Sequence, residues 1–234
     1  MKPNIKIYGD GANIKDMLNL TENGIVDGLT TNPTLMARAG ITDYLSFAKE
    51  VLLNITSTPV SFEVFSDDID EMYRQAKTLN DLGENVYVKI PVTNTKSEPT
   101  TRIVKVLSNE GIKLNVTAIF TIGQIDEVCD ALNEETPSIV SIFAGRIANA
   151  GVDPEPIMKH AVNLSKTKKH MEILWASPRE VFNVIQAERC GCHIITMTPE
   201  QISATKDLGK DLDLYSLETV KMFYDDATKA GFKL

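Results

Sequence analysis

The sequence predicts an α/β protein with a (β/α)8 TIM barrel and an extra C-terminal helix. Eight short apolar and β-branched segments alternate along the chain with stretches whose apolar residues recur at helical spacing. The segment after the first strand, residues 8–13, lacks the glycine spacing of a dinucleotide or phosphate loop, which argues against an open doubly wound sheet. A barrel commonly takes about 200–250 residues, so residues 1–234 are expected to form a single domain.

The predicted strands are short, as is usual for the strands of a barrel. They cover residues 5–8, 25–29, 60–64, 86–90, 113–118, 138–143, 172–175 and 193–197. Between consecutive strands the spacing predicts one helix with a single apolar face. One example is the stripe formed by Ile69, Met72, Tyr73, Ala76 and Leu79.

Three helix starts are predicted from a cap residue that is followed by proline. These cap residues are Asn32, Ser177 and Thr198, whose side-chain oxygens can accept from the first free amides of a helix. A final amphipathic helix is predicted at residues 216–230, after the eighth strand. It has no further strand to cover.

Composition and charge exclude several classes of function. The formal net charge of −8 argues against non-specific nucleic-acid binding, which needs a basic surface. No run approaches the roughly 18 apolar residues that would indicate a membrane span. The N-terminal residues do not form a signal peptide, so a cytoplasmic location is expected. Three cysteines and three histidines, none at a metal-binding spacing, predict reduced thiols and no metal site.

Polar residues are concentrated where the predicted strands end. In a (β/α)8 barrel the C-terminal strand ends form one face, and that face carries the chemistry. Taken singly these residues have ordinary structural explanations, such as a helix cap for Asn32 or an ion pair for Asp10. Their joint placement instead predicts a polar pocket above a packed interior. The residues are Asp10, Thr31, Asn32, Glu63, Lys89, Asn115, Thr117, Ser141, Arg146, Ser177 and Arg179.

Lys89 is the residue that indicates a particular chemistry. It lies in the apolar segment 86–91, which reads as a buried strand carrying one ammonium group. Burial disfavours the charged form, and a neutral lysine amine is the nucleophile that forms Schiff bases with carbonyl substrates. The alternative is a lysine at the rim of the strand, whose stem packs while its amine reaches water.

Motifs at residues 28–35, 88–91, 114–117 and 141–147 resemble those of the transaldolase family. They read Gly-Leu-Thr-Thr-Asn-Pro-Thr-Leu, Val-Lys-Ile-Pro, Leu-Asn-Val-Thr and Ser-Ile-Phe-Ala-Gly-Arg-Ile. The similarity extends in order from Asp10 to Arg179, and the short chain resembles the compact transaldolases and fructose-6-phosphate aldolase. The resemblance implies a barrel of the class I aldolase type, which uses a lysine Schiff base and neither a metal nor another cofactor.

The resemblance also implies roles for individual residues in moving a dihydroxyacetone unit between sugar phosphates. Lys89 would form the imine with the ketose carbonyl, and Asp10 would remove the C4 hydroxyl proton. Glu63 and Thr117 would hold the water needed for proton transfers. The dihydroxyacetone unit would be bound by Asn32, Asn115 and Ser141, and the phosphate by Arg146, Ser177 and Arg179. Further expected substrate-binding residues are Thr31, Phe143 and Trp175.

Two residues favour transfer of the three-carbon unit over its release. Transaldolases carry glutamate and phenylalanine where fructose-6-phosphate aldolases carry glutamine and tyrosine, and this chain has Glu63 and Phe143. A phenol near the enamine could protonate it and free the ketone, whereas a phenyl ring cannot. Cleavage that releases dihydroxyacetone is the alternative.

Two positions depart from the family pattern. Trp175 is bulky where a small residue is expected, and Pro178 replaces an aromatic residue. The end of the pocket that is expected to bind the phosphate, called the anion end below, can therefore differ in shape. A sulfonated sugar, as in sulfofructose transaldolases, is thus a second candidate substrate. A catalytically silent sugar-phosphate sensor is disfavoured, because a binder needs no buried lysine with an acid and a water-holding pair.

The resemblance bears on assembly as well. It implies a homo-oligomer, with a decamer built from pentamers as one candidate size. The predicted helix at residues 216–230 carries an apolar stripe that no strand of the same chain covers. That stripe is therefore expected to pack on a neighbouring subunit.

Overall fold

Eight parallel strands close into a barrel in sequence order, with the last strand paired back to the first. This computed structural model describes residues 3–233. The strands are β1 (Lys6–Asp10), β2 (Gly28–Thr30), β3 (Val60–Glu63), β4 (Val86–Pro91), β5 (Leu114–Ile119), β6 (Ser138–Ile142), β7 (Met171–Trp175) and β8 (Ile194–Met197). The closed parallel sheet with helices between its strands confirms the predicted (β/α)8 barrel.

The helices follow the strands, and two crossovers carry an additional short helix. They are α1 (Ile14–Glu22), α2 (Pro33–Arg38), α3 (Tyr44–Asn54), α4 (Ile69–Asn80), α5 (Thr101–Asn109), α6 (Ile122–Ala131), α7 (Ala144–Asn149), α8 (Glu155–Ser165), α9 (Phe182–Cys190), α10 (Pro199–Ala204) and α11 (Leu212–Ala230). The prediction of one helix per crossover was wrong after β2 and β6, where α2 and α7 precede the longer α3 and α8. Both short helices begin within three residues of a strand end, so they lie at the face where the polar residues gather.

Side-chain caps explain where several helices begin. Asn32 and Thr198 cap their helices, as predicted. The Asn32 side chain accepts from the Leu35 amide at 3.0 Å, and Thr198 forms a reciprocal capping box with Gln201. The predicted cap at Ser177 was wrong, because α9 begins five residues later. Ser177 has a left-handed φ of 60°, whereas a capping residue needs extended backbone.

The last helix, α11, is longer than predicted and has no buried residue. It begins at Leu212 rather than at residue 216, because the Asp211 side chain caps it by accepting from the Leu214 amide at 3.0 Å. Neither α11 nor any other helix within residues 3–233 combines the length and apolar character needed to cross a bilayer.

The apolar core of the described residues consists of two clusters. The larger cluster fills the space between the strands and the helices. The smaller cluster takes its buried members only from the strands and the residue after β7, so it fills the barrel interior. Its buried members are Tyr8, Ile139, Leu174, Ala176 and Ile194. At Gly28 a Cβ would lie 2.3 Å from the Tyr8 ring, so glycine is needed for that ring to fit.

Candidate active site

A pocket of about 560 Å³ opens at the C-terminal ends of the strands. The structure brings ten residues of the expected set to its lining. They are Asp10, Asn32, Glu63, Lys89, Thr117, Ser141, Phe143, Arg146, Ser177 and Arg179. Three further residues of the expected set, Thr31, Asn115 and Trp175, are not part of this lining.

Lys89 lies in the wall of the pocket with its amine held on two sides. The residue is only 7% exposed. Its Nζ lies 3.0 Å from Glu63 Oε2 and donates to the Thr31 carbonyl at 3.0 Å. Glu63 and Lys89 are register partners on β3 and β4, which explains why the two side chains meet. The strand-rim alternative, with the amine in water, therefore does not hold.

Tyr44 holds the backbone of Glu63 from the side of the helix layer. This first residue of α3 donates its hydroxyl to the Glu63 carbonyl at 2.8 Å. Burial raises the pKa of the Tyr44 phenol well above its usual value, so the residue stays a neutral donor at physiological pH. The contact ties the end of β3 to the outer helix layer and limits movement of Glu63.

Asp10 is a carboxyl group that holds its proton more strongly than usual. Its Oδ1 accepts from the Thr30 hydroxyl at 2.8 Å, and that hydroxyl lies 2.6 Å from the Thr196 hydroxyl. Burial raises the pKa of Asp10, although the positive charge of Lys89 acts in the opposite direction. A carboxyl with a raised pKa can exchange a proton closer to neutral pH, which is what an acid–base catalyst requires.

Thr117 has a buried hydroxyl without a partner in the described part of the chain. Its Oγ1 makes no hydrogen bond to residues 3–233, yet Thr117 lines the pocket. The register of β5 against β6 shifts between Val116 and Ile119. Within this shift Ala118, the residue after Thr117, has a left-handed φ of 59°. Such a shift re-aims side chains at a strand end. The unpaired hydroxyl is therefore available to a water molecule or a substrate.

A network of buried polar groups lies behind the lining. The Ser141 hydroxyl, which reaches the pocket, donates to Asn115 Oδ1 at 2.6 Å. The Asn115 amide in turn donates to the Ser61 hydroxyl at 3.0 Å, and the Thr31 hydroxyl donates to the Ser61 carbonyl at 2.9 Å. Asn115 and Thr31 are fully buried, so they position other groups in this structure.

Trp175 also lies away from the pocket. It is 1% exposed and belongs to the larger apolar cluster. Its indole N–H has no hydrogen-bond partner among residues 3–233. The bulk of Trp175, which the sequence suggested could reshape the anion end, is taken up by the core.

The anion end, which is expected to bind the phosphate, is built around a close approach of the first turn of α7 to the loop after β7. A Cβ at Gly145 would lie 1.7 Å from the Ser177 carbonyl oxygen, so only glycine fits there. The Arg179 Nε donates to the Gly145 carbonyl at 3.4 Å. Arg146 stacks its guanidinium 5.5 Å from the centre of the Phe143 ring. Two guanidinium groups thus line the same side of the pocket as the Ser177 loop.

Several lining residues were missed by the sequence reasoning. Thr30 is the last residue of β2 and Thr196 the penultimate residue of β8. Thr30 hydrogen-bonds Asp10, and Thr196 lies within hydrogen-bond distance of Thr30. Arg38 is the last residue of α2, eight residues after β2, so a prediction based on strand ends does not include it. Recognising α2 as a separate short helix over the barrel mouth would have been the useful signal. Within residues 3–233 no group of three His, Cys, Asp or Glu side chains could hold a metal ion.

Comparisons with known proteins identify the family that this chain matches. Residues 7–234 match the family model described as Transaldolase/Fructose-6-phosphate aldolase. A probable transaldolase of Thermoanaerobacter sp. is 36% identical over 232 residues, which cover 98% of this chain and 100% of that protein. A probable transaldolase of Clostridium acetobutylicum is 34% identical over 194 residues, or 82% of this chain and 86% of that protein.

A comparison of structures supports the fold alone. A 2,3-dimethylmalate lyase of the PEP mutase/isocitrate lyase superfamily aligns over 99% of this chain and 85% of its own, with a TM-score of 0.55 and 14% identity. At such low identity the likeness concerns the barrel and not the reaction.

Proposed function

Because this chain belongs to the transaldolase/fructose-6-phosphate aldolase family, we propose that it is a transaldolase that works through a Schiff base on Lys89. It moves a dihydroxyacetone unit from a ketose phosphate, such as fructose 6-phosphate or sedoheptulose 7-phosphate, to an aldose phosphate. The observation that carries the proposal is the 3.0 Å contact between the buried Lys89 amine and the Glu63 carboxylate at the pocket wall.

Imine formation requires a neutral amine and two proton transfers. In this proposal Glu63, 3.0 Å from the amine, takes the proton from Lys89. The neutral amine then adds to the ketose carbonyl and gives a carbinolamine. Loss of the carbinolamine hydroxyl as water needs a proton donor, which Glu63 then is. The free hydroxyl of Thr117 supports the proposal, because a water bound between Thr117 and Glu63 would carry protons in both directions.

Cleavage of the carbon–carbon bond follows from the imine. Asp10 accepts the proton of the C4 hydroxyl, the C3–C4 bond breaks, and its electron pair moves into the imine to give an enamine on Lys89. The aldehyde half leaves, and an acceptor aldehyde then undergoes the reverse steps. The raised pKa of Asp10 supports this role, since burial brings its proton exchange closer to neutral pH than that of an ordinary carboxyl.

Binding of the sugar is assigned to the remaining polar lining. Asn32 and Ser141 are proposed to bind the hydroxyls of the three-carbon unit, with Asn115 acting through Ser141. Arg146, Ser177 and Arg179 are proposed to bind the phosphate, since paired guanidinium groups match the geometry of a phosphate. Thr31 would hold the Lys89 amine through its carbonyl rather than touch the substrate.

Transfer is favoured over cleavage because a phenyl ring, that of Phe143, stands where a phenol could protonate the expected enamine. Phe143 lines the pocket, stacked against Phe120 at 5.6 Å, and its ring cannot donate a proton. The bound enamine would therefore wait for an acceptor aldehyde. Release of free dihydroxyacetone is the second candidate, because the matched family includes aldolases of that kind.

We also propose that the chain assembles as a homo-oligomer through α11. None of residues 212–230 is buried, and many are large and apolar. The exposed ones are Leu212, Leu214, Tyr215, Leu217, Val220, Met222, Phe223 and Tyr224. A contiguous apolar surface of this kind is unusual on a monomer and supports an interface between copies of the chain.

Covalent trapping tests the function. Borohydride added with fructose 6-phosphate should leave a three-carbon adduct on Lys89, located by peptide mass spectrometry, and Lys89→Met should lose both the adduct and turnover. Lys113→Met is the matched control, because that lysine contacts the Glu84 carbonyl outside the pocket. An adduct on another lysine would refute the assignment. Assays with and without an acceptor aldehyde, using phosphorylated and sulfonated ketoses, separate transfer from cleavage and identify the anion.

A further inference from the structure

The pocket carries an excess of positive charge. Its lining contains four cationic side chains, Arg38, Lys89, Arg146 and Arg179, and two carboxylates, Asp10 and Glu63. Because Lys89 lies beside Glu63, the excess resides on the arginines. In a chain with a formal net charge of −8, such a local concentration of guanidinium groups indicates an anionic ligand.

The six arginines of the chain fall into two groups. Outside the pocket, each of three arginines contacts a carboxylate, in the pairs Arg74–Glu71, Arg102–Asp70 and Arg189–Glu155. The three arginines of the pocket contact no carboxylate among residues 3–233. Arginine is thus left without an acidic partner only where it lines the cavity.

Arg38 reaches the pocket from the side opposite to the other two. It is the last residue of α2, which follows β2, whereas Arg146 lies in α7 after β6. In a closed barrel of eight strands, β2 and β6 are four positions apart and face each other across the mouth. Arg38 is exposed, and its guanidinium makes no hydrogen bond to the described residues. It is therefore available to an anion that enters.

We propose that Arg38 is a specificity-determining residue that attracts the phosphate or sulfonate end of a sugar as it enters, opposite the Arg146 and Arg179 pair. The inference rests on the proposed function, because it concerns the substrates of the same site. A guanidinium at the mouth of a cleft raises the local concentration of anions and their rate of association. It acts on binding and takes no part in the chemistry at Lys89.

An ordinary structural role makes a different prediction. Arg38 lies in the last turn of α2, where a positive charge is favourable because the helix C-terminus carries a partial negative charge. That role would affect stability, but it would not distinguish charged from neutral substrates. The comparison between an anionic and a neutral aldehyde acceptor therefore separates the two explanations.

The test uses Arg38→Gln, with Arg102→Gln as the matched exposed arginine outside the pocket. At low salt and saturating sedoheptulose 7-phosphate, Arg38→Gln should raise KM for glyceraldehyde 3-phosphate about tenfold while leaving kcat and the KM for glyceraldehyde unchanged. Salt should reduce the difference. Arg38→Lys should restore part of the affinity, and Arg102→Gln should behave as the wild type.

A binding measurement keeps this proposal separate from the proposed function. Calorimetric titration with inorganic phosphate needs no turnover, and Arg38→Gln should weaken that binding while Arg102→Gln should not. If Lys89 traps no adduct but phosphate binding still depends on Arg38, the transaldolase assignment fails and the anion contact stands. Equal KM changes for both aldehydes, or unchanged phosphate affinity, would overturn the role of Arg38.

Discussion

The Nζ of Lys89 and the Oε2 of Glu63 lie 3.0 Å apart, and the two residues are direct register partners on neighbouring strands. Both side chains are largely removed from water, with exposures of 9% and 15%. A buried amine can become a nucleophile only if its proton has somewhere to go, and Glu63 is the carboxylate within reach. The strand register of the barrel therefore supplies the carboxylate that the proposed chemistry requires beside the amine.

Glu63→Gln is expected to slow imine formation. The amide keeps the shape of the side chain but cannot take a proton from Lys89, so kcat should fall by about 10²-fold or more. Borohydride trapping on Lys89 should still occur, at a reduced rate, because the nucleophile is retained. Glu110→Gln is the control, since that carboxylate contacts Lys77 and Tyr73 outside the pocket. Wild-type trapping rates in Glu63→Gln would remove Glu63 from the proton transfers.

Thr117→Val should separate activity from stability. The Thr117 hydroxyl is buried without a partner, so replacing it with a methyl group should leave the unfolding free energy within about 1 kcal/mol of the wild type or raise it. Turnover should nevertheless fall by about ten- to a hundredfold, because the water for proton transfer loses an anchor.

The control for Thr117→Val is another buried threonine whose hydroxyl is satisfied. The Thr136 hydroxyl donates to the Ser108 carbonyl at 2.8 Å, far from the pocket lining. Thr136→Val should lose about 1 kcal/mol of unfolding free energy without a change in turnover. Denaturant titration and steady-state kinetics measure both variants. Full activity in Thr117→Val would contradict the proposed role of its hydroxyl.

The site residues could be predicted from the sequence where they lie at or near the C-terminal ends of the strands. Lys89 and Glu63 are the polar residues at or near the ends of β4 and β3, and the parallel register brings them together. Trp175 is also at the end of its strand, β7, but its side chain packs in the apolar cluster between the strands and the helices and does not line the pocket. Strand periodicity does not say which face of the strand points inward, so strand-end position alone could not separate these cases.

Residues on the inserted helices are harder to predict for a different reason. Arg38 is eight residues beyond β2, and its approach to the pocket depends on how α2 folds over the mouth. The same limit explains the wrong cap at Ser177, where the loop is shaped by its contact with Gly145 rather than by the local sequence. Tertiary contacts of this kind override local propensity.

Asp10→Asn is expected to change both activity and the pH dependence of stability. Removing the acid–base group should lower kcat by about 10²–10⁴-fold. Burial raises the pKa of Asp10 above its ordinary value of about 3.9. A raised folded-state pKa means that the stabilising contribution of the group is complete below the ordinary value and is lost as pH rises through the folded-state pKa.

The sign of this effect can be measured directly. Relative to the wild type, Asp10→Asn should gain unfolding free energy as the pH increases from about 4 to 7, because the variant buries no charge. Chemical denaturation at several pH values gives the difference. Asp213→Asn is a suitable control, as Asp213 is an exposed carboxylate in the first turn of α11. A difference that falls with rising pH would show that ionised Asp10 is favoured by the fold.

Gly145→Ala should damage the anion end through the backbone. A Cβ at this position would lie 1.7 Å from the Ser177 oxygen, so the loop that carries Ser177 and Arg179 must move. We expect a loss of about 1–3 kcal/mol in unfolding free energy and weaker binding of inorganic phosphate. Gly123→Ala is closely matched, because Gly123 is also the second residue of its helix and has open space around it. That variant should bind phosphate normally and gain up to about 1 kcal/mol.

The apolar face of α11 gives a prediction about assembly. Val220 and Phe223 are three residues apart, so they share one side of the helix, and they are 59% and 63% exposed. The double variant Val220→Asp and Phe223→Asp should reduce the mass measured by light scattering to that of the monomer, because charges cannot be buried in an apolar interface. Circular dichroism should stay unchanged, since neither side chain supports the barrel core. Lys221→Asp introduces the same side chain at a position that is already polar and should leave the oligomer intact. A wild-type chain that is monomeric at micromolar concentration would remove α11 as an interface and leave its apolar surface to another partner.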